Sequence, residues 1–460
     1  MAVRTWRRGA TVLAAGVSAA LVLAACGGDD GGDGDGGDAG GELPEGCEAF
    51  EDYGSFDGEE VEIYNSIRDT EAERFRESFT EFEDCTGITV EWNDSGEFED
   101  QLRVRVQGGD APDLAAIPQP GLLADLVAQG AVVDPGEEYA TFAAENYPEA
   151  WLEYGTIDGT FYAAPLGANV KSYVWYSPSF FEENGLEIPE TWDDLLALTE
   201  EINGIMPDDG ISEPWCAGIE SGEATGWTVT DWFEDIVLRT AGPEVYDQWY
   251  THEIPFDDPA IVAAGEEVEK ILKDEDYVNG GYGDVRSITI TAFSDGGLPI
   301  LQNQCALHRQ ASFYANQWPE GTTVAEDGDV FAFYFPPLEA DGERPVLGGG
   351  EFLAAFNDEP ATLAVQRYMA SAEYSNTKAG IGDWISPNLG LDVANVENPI
   401  DQLSVEILQD PEAVFRFDAS DLMPAAVGAG SFWSESTAWI NGDVELEAML
   451  ANIEGTWPAS

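Results

Sequence analysis

Positively charged residues are scarce in this sequence. Only 18 Lys and Arg stand against 90 Asp and Glu, which gives a formal net charge of −72 over 460 residues. Nucleic acids and anionic bilayer surfaces are bound through clustered Lys and Arg, so the composition argues against both as direct partners. A surface this acidic repels itself less in concentrated salt, which suggests a saline habitat as a hypothesis about the environment.

Histidine and cysteine are also scarce, and the common catalytic motifs are absent. The sequence has two His and five Cys, with no CxxC pair, and His252 and His308 lie far apart. It therefore predicts no metal site and no cofactor. The G-x-S-x-G, HExxH and P-loop patterns are absent from the sequence. A glycoside hydrolase needs only two carboxylates, but no pair stands out among so many acids, so an enzyme is kept only as an alternative.

Long apolar runs are missing after the first residues of the chain. Residues 10–25 are mostly apolar and follow a basic start, but they are shorter than the roughly 20 residues that span a bilayer. This anatomy predicts a secretory signal peptide over 1–25. Its end, Leu23-Ala24-Ala25-Cys26, resembles the lipobox of bacterial lipoproteins, which would make Cys26 the lipid-modified residue. The Gly- and Asp-rich segment 26–47 is then a flexible tether, and the protein is extracytoplasmic and anchored to the cell membrane.

Four cysteines follow the lipobox. They are Cys47, Cys85, Cys216 and Cys305. An even number in an exported chain indicates two disulfides, for which three pairings exist. We favour Cys47–Cys85, which would tie down the first helix, together with Cys216–Cys305.

Strands alternate with helices along the rest of the chain. "VEIYNSI" alternates as a strand, and the next 19 residues place Ala72, Phe75, Phe79 and Phe82 on one helical face. "GITVEW" and "PDLAAI" read as further strands, and residues 258–274 and 359–374 as helices. This order predicts an α/β protein with a parallel sheet, and the chain is long enough for two lobes.

Several motifs resemble the extracellular solute-binding proteins (family 1) of carbohydrate ABC transporters. "PLGANVKSYVWYSPSFFEENGLEIPETWDDLLAL" has a strand ending in Trp175-Tyr176, then Gly185-Leu186, then the run from Pro189 to Leu195. Residues 108–130 give a second match. The stretch "DLMPAAVGAGSFWSESTAWINGDVELEAMLANIEGTW" resembles the C-terminal block of maltose- and α-glucoside-binding members. Together with "WCAGIESGEATGW" and "CALHRQASFYANQW", the matches span nearly the whole mature chain in the family's order.

The resemblance implies a two-lobed periplasmic-binding-protein fold with a hinge and an interlobe ligand cleft. Lobe 1 would comprise 48–165 plus 350–398, and lobe 2 would comprise 166–349 plus 399–460. The chain would cross between them near Pro165–Asn169 and Gly348–Phe352. The implied protein is a monomer that captures a carbohydrate by closing its hinge and delivers it to the transmembrane subunits of an ABC permease.

A sugar site needs aromatic plates for the apolar ring face and planar polar groups for the hydroxyls. Trp433 stands where related maltose-binding proteins carry a stacking Trp, and Trp227, Glu220, Phe313, Arg68 and Asp69 match other segments that hold ligand contacts. Gln119 ends a strand at a turn that would face the cleft, and the glycines at the second crossing would let backbone approach a ligand. The predicted ligand-binding set is Trp433, Trp227, Glu220, Gln119, Arg68, Asp69, Phe313, Asn169, Lys171, Gly350 and Trp215.

Together these features predict a substrate-binding lipoprotein for a carbohydrate, in particular an α-glucoside or malto-oligosaccharide. Three alternatives stay open. The ligand could be another solute, such as a polyamine or an osmolyte; the protein could be a lipid-anchored glycoside hydrolase; or the same fold could serve a signalling receptor instead of a permease.

Overall fold

A computed structural model describes residues 43–279, 284–340, 342–382, 384–410 and 413–458. The predicted signal peptide, Cys26 and most of the predicted tether lie outside these ranges. No helix within them is long and apolar enough to cross a membrane.

Short strands and medium-length helices alternate along the described chain, as the sequence predicts. The strands are β1 (Glu60–Asn65), β2 (Thr89–Asp94), β3 (Leu114–Ile117), β4 (Thr156–Ile157), β5 (Thr160–Phe161), β6 (Ala163–Pro165), β7 (Asn169–Val170), β8 (Tyr173–Tyr176), β9 (Trp215–Cys216), β10 (Val278–Asn279), β11 (Leu307–Arg309), β12 (Phe331–Tyr334), β13 (Arg344–Gly349), β14 (Phe352–Ala355) and β15 (Ala413–Phe417). The helices are α1 (Asp69–Ser78), α2 (Thr80–Thr86), α3 (Phe98–Gly108), α4 (Pro120–Ala128), α5 (Glu137–Asn146), α6 (Glu149–Leu152), α7 (Pro178–Asn184), α8 (Trp192–Asn203), α9 (Trp227–Thr240), α10 (Pro243–Tyr250), α11 (Pro259–Leu272), α12 (Pro360–Met369), α13 (Ala372–Ile381), α14 (Pro399–Gln409), α15 (Ala419–Leu422), α16 (Trp433–Asn441) and α17 (Leu446–Glu454).

Two predicted helices are each divided in the structure. The first breaks at Phe79, between α1 and α2. The helix expected over 359–374 ends at Met369, and Ser371 then caps the N-terminus of α13, since its Oγ accepts a hydrogen bond from the Tyr374 N–H at 3.0 Å. Serine favours such N-terminal capping over a helix interior, which explains the break.

Two five-stranded sheets carry the fold. The first has the order β2-β1-β3-β14-β6 and the second the order β10-β9-β11-β8-β12. In the first sheet β1, β2 and β3 are parallel, as expected, but β14 runs antiparallel to both β3 and β6. The expected parallel pairing thus holds for β1, β2 and β3, and also for β9, β10 and β11 of the second sheet, whereas β8 pairs antiparallel with β11 and β12.

A third, three-stranded sheet lies along the segments that leave and re-enter the first sheet. Its order is β15-β13-β7. The chain leaves the first sheet after β6 and joins this sheet at β7, and it returns from β13 to β14. These are the segments where the sequence predicts crossings, whereas the exact lobe boundaries stay a prediction.

Separate apolar cores cover the sheets. Helices α1, α2 and α12 pack on one face of the first sheet, where Phe75 stacks on Trp92 with ring centroids 4.3 Å apart. Helices α9 and α11 fill the core beside the second sheet. Both favoured disulfides are confirmed: Cys47 pairs with Cys85 and Cys216 with Cys305. The first pair lies in the core beside α2, and the second lies beneath the second sheet.

Candidate ligand-binding site

A cavity of about 240 Å³ lies where the first sheet, the three-stranded sheet and the N-terminus of α9 meet. Its first-sheet side is formed by the residues that follow β1 and β3, since the carboxyl ends of parallel strands share one sheet edge. The opposite side comes from residues 221–227, 293–294, 312–317, 418–421 and Trp433. Residues of both crossing segments, 167–171 and 349–351, also line it.

Nine of the eleven predicted ligand-binding residues line this cavity. They are Arg68, Asp69, Gln119, Asn169, Lys171, Trp227, Phe313, Gly350 and Trp433. Residues far apart in sequence thus line one cavity, although the contact of each with a ligand stays a prediction.

Trp215 and Glu220 do not line the cavity. Trp215, in β9, is 1% exposed; its Nε1 donates to Thr199 Oγ1 at 2.9 Å, and its ring meets the edge of Trp232. Strand alternation directs this indole into the core beside α8 and α9. Glu220 folds back so that its Oε1 accepts from the Gly222 N–H at 2.9 Å, which stabilises the local turn.

The aromatic wall on the second-sheet side is built around Trp227, the first residue of α9. Its ring lies 5.4 Å from Phe293 and 6.0 Å from Phe313, centroid to centroid. Gly226 precedes it with a φ of 111°, and a Cβ at that position would lie 2.2 Å from the carbonyl oxygen of Trp433. Glycine therefore allows α9 and α16 to approach closely enough for both indoles to reach one cavity.

Trp433 follows an irregular turn of helix. It begins α16 directly after a π-helical segment, Val427–Phe432. Gly428 in that segment packs against the Ser420 carbonyl so closely that a Cβ would lie 1.7 Å from its oxygen. Trp433 is 4% exposed, and its Nε1 has no hydrogen-bond partner among the described residues. Wide turns of this kind recur at functional sites because they redirect a side chain.

Glycines also shape the crossing segments and the first-sheet side. A Cβ at Gly350 would lie 2.2 Å from the Gly167 carbonyl oxygen, so this glycine permits close approach between the two crossing segments. A Cβ at Gly96 would lie 2.8 Å from Nη1 of Arg68, whose exposed side chain lines the cavity. Asn169 has a buried Oδ1 that meets no hydrogen-bond donor in the ranges described.

Lys171 is held in a buried ion network. Its Nζ lies 3.0 Å from Asp231 Oδ1, contacts Asp418 Oδ2, and sits 5.6 Å from the Trp227 ring centroid. Burial alone would lower the pKa of Lys171, but Asp231 and Asp418 outweigh it and raise that pKa. Burial likewise opposes ionisation of Asp418, yet Lys171 lowers the pKa of this carboxyl to about 2. A protonated lysine therefore joins the crossing strand β7 to α9 and to the end of β15.

Several cavity residues were missed by the sequence reasoning. Trp384, Glu71, Glu351 and Asp401 line the first-sheet side. The Nε1 of Trp384 has no hydrogen-bond partner in the part of the chain that the structure describes. Burial raises the pKa of Glu71 to about 7, assisted by Glu351. Of these residues, only Glu351 could have been predicted from the sequence, because it directly follows the triple glycine. Asp401 reaches the cavity on α14, and the sequence around it has no recognisable motif.

Buried carboxyl groups on this side should make the fold less stable as pH rises. Burial raises the pKa of Asp401, which is 4% exposed, to about 7, with Lys378 opposing the rise. In the unfolded chain an Asp ionises near pH 4. Between about pH 4 and 7 the folded state thus holds a proton that the unfolded state has lost, so the unfolding free energy falls with rising pH.

Denaturant unfolding at pH 5 and pH 8 measures this effect. The wild type should be less stable at pH 8, and Asp401→Asn should remove about 1–3 kcal/mol of the difference between the two values. Asp358→Asn, at an exposed position, is the control and should change the difference by less than about 0.5 kcal/mol. Equal pH dependence in the wild type and Asp401→Asn would contradict the assignment.

Comparison with solved structures identifies the fold. Maltose-bound MalE3 of T. maritima superposes with a TM-score of 0.66 at 16% identity, covering 86% of this chain and 98% of that one. The solute receptor AcbH gives a TM-score of 0.70 at 18% identity, with coverage of 86% and 97%. At such low identity the likeness shows the fold alone, which is the two-lobed α/β fold of solute-binding proteins.

Sequence comparison gives the family. The pattern of the family described as bacterial extracellular solute-binding protein matches residues 68–370. The osmoprotective compounds-binding protein GgtB of Synechocystis sp. is 39% identical over 408 residues, which is 88% of this chain and 94% of GgtB. The alpha-glucosides-binding periplasmic protein AglE of Rhizobium meliloti is 36% identical over 411 residues, with coverage of 87% of each. The chain belongs to the bacterial extracellular solute-binding protein family, whose members serve ABC transporters as binding proteins outside the cytoplasm.

Proposed function

We propose that this protein captures a small, hydroxyl-rich solute, an α-glucoside or a related osmoprotective glycoside, and delivers it to an ABC importer. One observation carries the proposal: three indoles and several unpaired polar atoms belong to residues of a single cavity. Among the described residues, Gln119 Oε1, Asn169 Oδ1, Trp384 Nε1 and Trp433 Nε1 are buried without hydrogen-bond partners. A sugar ring offers an apolar face to an indole and hydroxyls that both donate and accept.

The size of the cavity favours a short ligand. Pockets for drug-sized ligands occupy roughly 300–1,000 Å³, and this cavity of about 240 Å³ is smaller. A disaccharide or a monosaccharide linked to a small polyol suits it better than a long malto-oligosaccharide. The names of GgtB and AglE, which refer to osmoprotective compounds and to alpha-glucosides, support the same range of ligands.

Closure around the ligand would couple binding to delivery. We place the predicted contacts on both sides of the cavity, with Gln119, Arg68 and Asp69 on one side and Trp227, Phe313 and Trp433 on the other. A ligand that touches both sides stabilises the closed state by its differential affinity for it. Cys26 would carry the lipid that keeps this receptor near the permease.

A cationic solute is the second candidate. The first-sheet side carries Glu71, Glu351 and Asp401, which would suit a polyamine or a betaine. Lys171 and Arg68 line the same cavity, however, and a cationic ligand would meet both.

Calorimetric titration of the full-length protein in detergent distinguishes these ligands. The panel comprises trehalose, sucrose, maltose, maltotriose, glycine betaine and spermidine, each at low and high salt. We expect micromolar or tighter binding of at least one α-glucoside that persists at high salt, because the contacts are hydrogen bonds and stacking. Binding of spermidine or betaine, together with no measurable binding of any sugar, would refute the carbohydrate proposal and leave the family assignment intact.

A further inference from the structure

A glutamate that the sequence reasoning did not single out contacts Gln119 in the cavity. Glu99 is the second residue of α3 and is 7% exposed, and Gln119, which precedes α4, is 4% exposed. The Gln119 Nε2 donates a hydrogen bond to Glu99 Oε1 at 2.9 Å. Both side chains line the cavity, so the pair forms part of its wall.

The chemistry of this contact fixes the orientation of the amide. Gln119 presents its NH₂ end to Glu99, whose Oε1 accepts the hydrogen bond, and only that end of an amide can donate. The amide oxygen must then point to the other side, and within the described ranges Gln119 Oε1 is buried without a hydrogen-bond partner. A buried acceptor left unpaired is costly, so a donor from outside the protein is expected there.

Neighbouring groups hold Glu99 in place. The N–H of Asp100 donates to Glu223 Oε1 at 3.1 Å, which anchors the first turn of α3 to the segment on the other side of the cavity. Burial raises the pKa of Glu99, whereas the Gln119 contact lowers it. The charged groups around Glu99 are Asp100 and Arg103 on its own helix, Glu223 on the opposite segment, and Asp421 in α15.

We propose that Glu99 is a positioning residue that holds Gln119 with its oxygen toward the ligand, so that the cavity selects a solute with a hydroxyl donor at that point. The inference rests on the proposed function, because it assumes a hydroxylated ligand. It adds a selection rule: a ligand whose group at this point only accepts hydrogen bonds is rejected. Without Glu99 the amide could turn its NH₂ end to the ligand, and that selection would be lost.

Binding of methyl α-D-glucopyranoside and its four monodeoxyfluoro analogues to the full-length protein tests the rule. Fluorine keeps the size and a weak acceptor but cannot donate. In the wild type, one analogue should bind about 10- to 100-fold more weakly than the parent glucoside, since Gln119 Oε1 then lacks its donor. In Glu99→Gln the same analogue should bind within about threefold of the parent, because the introduced amide can donate to Gln119 Oε1 and leave the Gln119 NH₂ end free for the ligand.

A purely structural role for Glu99 predicts another pattern. In that case Glu99→Gln would weaken the parent and the analogues by the same factor, and the ratio between them would not change. Glu97→Gln is the matched control: Glu97 is exposed at the N-cap of the same helix, lies outside the cavity, and should keep the wild-type ratio. An unchanged ratio in Glu99→Gln, or wild-type binding of all four analogues within threefold of the parent, overturns the proposal.

A second measurement separates failure of this inference from failure of the proposed function. If the wild type binds no glucoside, the carbohydrate proposal is wrong, but the orientation of the Gln119 amide can still be measured without a ligand. In the ¹⁵N-glutamine-labelled protein, the Gln119 side-chain amide protons should show a downfield shift from the Glu99 carboxylate that disappears in Glu99→Gln and persists in Glu97→Gln. An identical Gln119 signal in the wild type and Glu99→Gln overturns the proposed orientation.

Discussion

Replacing Lys171 by Met should lower the free energy of unfolding by about 3–5 kcal/mol, because it leaves the buried Asp418 carboxylate without the cation that faces it. Lys171 is 7% exposed, while Asp231 and Asp418 are each 1% exposed. Its ammonium is the shared partner of both carboxylates. Methionine has a similar length and no charge, so it leaves little empty space. The loss of stability would therefore measure the electrostatic role of Lys171.

Chemical denaturation of the wild type and Lys171→Met measures the effect. Lys270→Met is the control, since Lys270 pairs with Glu267 on the surface with half of its side chain exposed. Exposed ion pairs contribute about 0–1 kcal/mol, so this variant should stay close to the wild type. A Lys171→Met protein as stable as the Lys270→Met protein would show that the buried network does not hold β7, α9 and β15 together.

Replacing Trp433 by Ala should weaken binding of the α-glucoside ligand by at least about 100-fold. The indole supplies a plate for the sugar ring and an unpaired N–H donor, and loss of both together is worth roughly 2–4 kcal/mol. Because Trp433 is also buried, the variant should lose stability as well. Affinity alone therefore does not separate a ligand contact from a packing role.

A pair of milder substitutions makes that separation. Trp433→Phe and Trp215→Phe each remove an indole N–H and part of a buried ring, but only Trp433 lines the cavity. Both should lower the melting temperature by a few degrees, whereas only Trp433→Phe should weaken binding, by about tenfold. Calorimetric titration at a temperature where both variants are folded gives the comparison. Equal affinities in the two variants would remove Trp433 from the site.

The elements that the sequence predicted well are those determined by neighbouring residues. Strands β1, β2, β3 and β8 and helices α8 and α11 follow local periodicity. Thr191 caps α8, since its Oγ1 accepts a hydrogen bond from the Asp194 N–H at 3.1 Å. The breaks at Phe79 and near Ser371 were missed because the apolar periodicity continues across both, and at Ser371 a capping residue competes with it.

The candidate site was predicted in part, and the wrong assignment of Trp215 shows why motifs alone do not suffice. Trp227, Gln119 and Trp433 were proposed because they stand in recognisable motifs, and all three line the cavity. Trp215 stands in a similar motif, but strand alternation sends its ring into the core. A motif therefore places a residue near the site without saying on which side of the backbone its side chain lies.

The sequence by itself determined the α/β class, the family and most of the cavity-lining aromatics, because these depend on local periodicity, on residue type and on motifs in a fixed order; it favoured one of three disulfide pairings, and the structure decided between them. Only the tertiary structure decided which charges are buried together, such as Lys171 with Asp231 and Asp418, and which polar atoms lack partners, such as Gln119 Oε1 beside Glu99. The physical reason is that burial and hydrogen bonding depend on contacts between residues far apart in the chain. No local pattern among 90 acidic residues distinguishes the few that the fold encloses.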